Sequence, residues 1–85
     1  MHKKDTYNLA IGIVLQELHD ERLLPREKIA EALELSELAV TRVENGAETL
    51  SAGSLVLLLD LFDLSWDDFL TRVRANLAKA EARIR

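Results

Sequence analysis

Eighty-five residues, 48% apolar and 31% charged, make one small domain, too apolar for a disordered segment and too charged for a membrane span. With no cysteine, three glycines and one proline, a disulfide scaffold, an iron–sulfur site and a thiol nucleophile are excluded, and a turn-rich all-β fold is disfavoured. The net charge of −4 is unevenly spread: Asp60, Asp63, Asp67 and Asp68 stand without a base over 54–70, whereas 71–85 carries Arg72, Arg74, Lys79, Arg83 and Arg85 against Glu81.

In chain order, Asp5 or Thr6 caps a first helix running to about Arg22. Ile11, Val14, Leu15 and Leu18 lie on one side of it, and Leu9 and Ile13 widen the stripe beyond one core face. Pro25, whose missing N–H costs nothing in a first turn, opens a second helix to about Glu34 that buries Ile29, Ala30 and Leu33. Ser36 caps a third helix with Val40 and Val43 inward, closed by Glu44-Asn45-Gly46, where Gly46 or Asn45 takes the left-handed C-cap geometry. After a loop over Ala47–Leu50, Ser51 starts a fourth helix through Leu61. Ser65 caps a fifth, stapled by Leu64 and Phe69. Phe69, Leu70, Val73, Leu77 and Ile84 carry that helix unbroken to Ile84. The expected fold is an all-α orthogonal bundle of five helices in a single domain, 1–85.

Catalysis finds little support. Asp67 and Asp68 are adjacent, hence on different helix faces, and serve the helix N-terminus. There is no phosphate loop and no metal motif, and no histidine other than His19 stands at plausible spacing from a serine or threonine, so no catalytic residue, cofactor or metal is expected. His2 is read in a frayed terminus and has no role; Trp66 is read as a core or interface anchor. The longest apolar run, Leu55 to Leu59, is far short of the ~20 residues of a membrane span, and no apolar signal core follows Met1-His-Lys-Lys-Asp5. A cytoplasmic protein with no membrane contact is expected.

The informative unit runs from Leu24 to Gly46: a short helix, a three-residue turn and a second short helix. Ala30 sits where two helices cross closely, Leu35 fills the turn from beneath, and Val40 and Val43 pin the second helix at i, i+3. A helix-turn-helix has this geometry, and its second helix can enter the ~12 Å wide major groove of DNA. An ordinary helical hairpin uses the same apolar spacing.

From about Ile11 to Leu70 the chain resembles the lambda-repressor-like (XRE/Cro) family of helix-turn-helix proteins. The likeness rests on Ala30, Ser36, Val40, Val43, Glu44-Asn45-Gly46 and Leu61-Phe-Asp-Leu-Ser-Trp-Asp-Asp-Phe-Leu70. It implies a five-helix lambda-repressor-like bundle with its core at about 11–70, a basic helical extension over 71–85, and a dimeric transcriptional regulator on a palindromic DNA operator. It places base-reading positions on Glu37, Leu38 and Arg42 and phosphate contacts on Thr41 and Arg26. Lys28, Ser36 and Asn45 complete the implied DNA-binding surface. His19 falls where the family often has an arginine paired with the glutamate of Glu-Asn-Gly, which implies a His19–Glu44 pair; from the residues alone an exposed or partly packed histidine is the alternative. Glu34 stands where the family usually has the turn glycine.

The charge pattern keeps a second class open. Over 25–46, Arg26, Lys28 and Arg42 face Glu27, Glu31, Glu34, Glu37 and Glu44, and after Gly46 stand Ala47, Glu48 and Ala52 rather than bases. Phosphate neutralisation supplies most non-specific affinity for DNA, so a protein-interaction module on the same fold, antitoxin-like or an anti-regulator subunit, is the alternative. The sign of the surface around Arg42 separates the two. Finally, Val73, Leu77 and Ile84 fall at i, i+4 and i+11, flanked by Arg72, Arg74 and Lys79. That stripe predicts a two-fold homodimer whose interface includes the fifth helix, with helix one as a further candidate, which would set two recognition helices about 34–36 Å apart.

Overall fold

The computed structural model describes residues 3–84. Met1, His2 and Arg85 lie outside the described residues, and with them the terminus read as frayed and the last base of the extension. Six helices and no strand occur among the described residues: α1 (Lys3–Arg22), α2 (Arg26–Leu33), α3 (Glu37–Glu44), α4 (Ala52–Phe62), α5 (Trp66–Ala75) and α6 (Leu77–Ile84). Among those residues no helix is long and apolar enough to cross a membrane.

Local chemistry sets the element ends. Ser36, Ser51 and Ser65 each accept a bond from the backbone N–H three residues on, at 3.0, 3.1 and 3.1 Å, which satisfies one orphan donor at the start of α3, α4 and α5. Three helices close alike. Glu34, Gly46 and Asp63 take left-handed φ values of 57, 78 and 52°. The following N–H then reaches back five residues: Leu35 to Ala30, Ala47 to Arg42, Leu64 to Leu59. Each left-handed non-glycine residue costs about 1–2 kcal/mol, offset here by pairing carbonyls that the helix end leaves open. Glu34 therefore makes the turn that glycine would make.

The structure corrects two boundaries. α1 begins at Lys3 rather than after a cap at Asp5 or Thr6; Asp5 lies in the first turn, where a carboxylate suits the positive end of the helix. The expected single helix after Ser65 is two, because Asn76 interrupts it at φ −100 and ψ 2. Asn76 is buried, and its Nδ2 donates to Glu17 at 3.0 Å and to the Arg72 carbonyl at 2.9 Å. The bend lays α6 along α1.

α1 thus becomes the central helix, packed by α3, α5 and α6, while α2 rests on α3 and α4. The stripe assigned to a dimer is taken up within the chain: Val73 is buried, and Leu77 and Ile84 pack on the same core. The apolar surplus of α1 is covered too. Ile13 is buried, and Leu9 lies against Gly46, where an added Cβ would come within 2.5 Å of the Leu9 Cδ1. Leu9 and Ala10 before residue 11, and Val73 and Ala80 after residue 70, are thus part of the buried core.

Gly12 fixes the tightest crossing. A Cβ there would meet the Val43 carbonyl oxygen at 2.1 Å, so the backbones of α1 and α3 touch with no side chain between them. Ala30 is also buried, but Gly12 sets how closely α3 approaches.

Candidate functional site

The unit formed by α2, the turn Glu34–Ser36 and α3 presents one face inward and one outward. Ile29, Ala30, Leu33, Val40 and Val43 are buried, and Leu35 packs under the turn. On the outer side Lys28, Ser36, Glu37, Leu38, Arg42 and Asn45 are exposed, Leu38 by 58%, and Thr41 is half-buried. The Thr41 hydroxyl donates to the Glu37 carbonyl at 3.2 Å, and the Ser36 oxygen is the cap of α3. Asn45 borders a cleft of about 430 Å³ with Asp5, Asn8 and Glu48. Among the described residues, Lys28 and Arg42 have no ion-pair partner.

Arg26 differs from them. Its Nε and Nη2 donate to Glu44 Oε1 at 3.3 and 2.9 Å, while His19 Nδ1 lies 2.9 Å from Glu44 Oε2. Glu44 is only 4% exposed, against 18% for the His19 side chain and 42% for Arg26. A carboxylate has no hydrogen to give, so Nδ1 of His19 carries the proton of that bond. The pair of His19 and Glu44 is present, and Arg26 joins it as a second partner. Arg26, the residue to which a phosphate contact was assigned, thus has two of its nitrogens on a buried carboxylate from another helix and keeps 42% of its side chain open to solvent. One buried acid ties α1, α2 and α3 together.

The helix pair therefore exposes more acids than unpaired bases. Glu27, Glu31, Glu34 and Glu37 are exposed and Glu48 is half-buried, and with Arg26 neutralised by Glu44 the unpaired bases are Lys28 and Arg42.

Two bases near the C-terminus, Arg72 and Lys79, meet acids of α1. Arg72 donates to both oxygens of Glu21, lies 3.6 Å from Glu17, and Lys79 approaches Glu17 at 3.9 Å. The hydrogen-bonded guanidinium of Arg72 holds the Glu21 carboxyl below the usual glutamate range, and Glu21 in turn raises Arg72. Arg22 donates to the Phe62 carbonyl at 3.2 Å and lies 5.7 Å over the Phe62 ring, closing the end of α4. Trp66 is half exposed and meets Phe69 edge-on at 6.4 Å; the core anchor here is Phe69. No cluster of three or more histidine, cysteine or carboxylate side chains that could hold a metal ion occurs among the described residues. In comparisons with known proteins, the chain matches no family model and no curated protein.

Proposed function

We propose that the chain is a sequence-specific DNA-binding regulator in which α2 and α3 form a helix-turn-helix and α3 is the recognition helix. One observation carries the reading: α3 is held by α1 and α2 along a single face, which leaves Glu37, Leu38 and Arg42 projecting from the other. Arg42 can bond guanine O6 and N7, Glu37 can accept from cytosine N4–H, and Leu38 can touch a thymine methyl. Lys28, Ser36, Thr41 and Asn45 are the candidates for contacts to the phosphates. Acting in the cytoplasm as a homodimer, two copies would read the halves of a palindrome. With Val73, Leu77 and Ile84 committed to the core, their contact falls on another face.

Fluorescence titration of genomic DNA fragments at several salt concentrations tests this. Selective binding with a negative salt slope is the expected result. On the selected site Arg42→Ala costs about 1–3 kcal/mol, while Lys28→Ala weakens all sequences alike and flattens the slope by about one. The exposed acids and the capture of Arg26 by Glu44 favour the second reading, a protein-interaction module using Leu38. Failure of every fragment to bind at low salt would put that reading first.

A further inference from the structure

Glu44 shares its two oxygens between partners of different kinds. Oε1 takes both bonds from Arg26, a permanent cation, and Oε2 takes the bond from His19, a conditional one. With a neutral imidazole the carboxylate and guanidinium cancel. With a protonated imidazole the three groups carry one positive charge. A hydrogen bond from a cation is about twice as strong as one from a neutral donor, so a charged His19 also competes better for Glu44. Of the three side chains Arg26 is the most open to solvent, and it stands at the first residue of α2.

Resting on the DNA-binding reading, we propose that Glu44 is a positioning residue for Arg26, and that protonation of His19 decides whether Arg26 is available to a nucleic-acid phosphate. The surroundings leave that decision to the trio. On α1, Glu17 and Glu21 turn to Arg72 of α5, with Lys79 of α6 near Glu17. Arg22 turns to the Phe62 carbonyl of α4. From α2 only Arg26 and from α3 only Glu44 are bonded into the trio among the described residues. An arginine at position 19 would keep the trio permanently positive; a histidine makes the charge conditional on pH.

The test is fluorescence anisotropy of the full chain with a labelled mixed-sequence duplex at about pH 6 and about pH 8, over which imidazoles titrate, each across roughly 50 to 200 mM salt. Wild type binds more tightly at the lower pH, with a salt slope steeper by about 0.9, one further phosphate neutralised. His19→Gln at the lower pH matches wild type at the higher, and His19→Arg at the higher pH matches wild type at the lower. Arg26→Gln retains neither difference. A pH dependence that survives in His19→Gln overturns the inference, as does an unchanged salt slope in wild type. Should His19→Gln melt early, His19→Arg and Arg26→Gln still decide between these outcomes. Binding that ignores pH refutes only the coupling, whereas absence of binding to any duplex refutes the DNA reading and the coupling with it.

Discussion

The two flanks of α1 hold their neighbours by different means. Against α3, the backbone at Gly12 touches the Val43 carbonyl and the buried carboxylate of Glu44 receives His19 and Arg26. Against α5 and α6, charged side chains meet near the surface, Arg72 with Glu21 and Glu17 and Lys79 with Glu17. Both flanks look like acid–base matching in a list of contacts. They differ in burial, and burial sets their weight: exposed pairs are worth about 0–1 kcal/mol, whereas a buried charge stripped of its partners costs several.

Gly12→Ala breaks the first flank most severely. Elsewhere in a helix this change stabilises by up to about 1 kcal/mol. Here the new methyl meets a backbone oxygen that cannot swing aside, and a loss of about 3 kcal/mol is expected, at the upper end for overpacking. Urea denaturation checks the sign as well as the size. The double variant His19→Ala with Arg26→Ala leaves Glu44 without either partner and loses about 2–3 kcal/mol, less than for a fully enclosed pair because both positions admit water. Each single variant leaves one partner and loses less than half of that.

Arg72→Ala on the second flank loses about 1 kcal/mol or less by the same measurement. The Glu21 contact also has a pH signature. The folded carboxyl is held below its ordinary value by Arg72. Its contribution is therefore complete above the unfolded glutamate pKa of about 4.3 and is lost as the pH falls through the folded one. In Glu21→Gln that acid-side loss disappears from thermal melts collected down through this range, the smallest of these effects.

Most of the local structure was legible because it is written in short-range chemistry. Ser36, Ser51 and Ser65 announce helix starts, and Gly46 announces a left-handed end. The apolar spacing at Ile29, Leu33, Val40 and Val43 marks the inward faces of α2 and α3. Resemblance alone pointed to the pairing of His19 with Glu44. What stayed hidden depends on contacts between distant segments. Val73, Leu77 and Ile84 keep helical spacing straight through Asn76, and the bond by which Asn76 is tied to Glu17 of α1 spans 59 positions of the chain. Gly12, inside an apolar stripe, looks neutral until α3 lies against it. Arg26 looks like a free surface cation because Glu44 is 18 residues away along the chain. The candidate site was therefore legible in its residues and illegible in its charge.

The most direct test of the central claim, that the open face of α3 meets DNA, is a map of backbone amide shifts in the isotope-labelled chain titrated with a mixed-sequence duplex at low salt. Shifts clustered at Lys28 and from Ser36 to Asn45, with α5 and α6 unmoved, are the predicted result. A spectrum unchanged by DNA, or shifts centred on Arg74, Lys79 and Arg83 of the basic C-terminal helices instead, would contradict it.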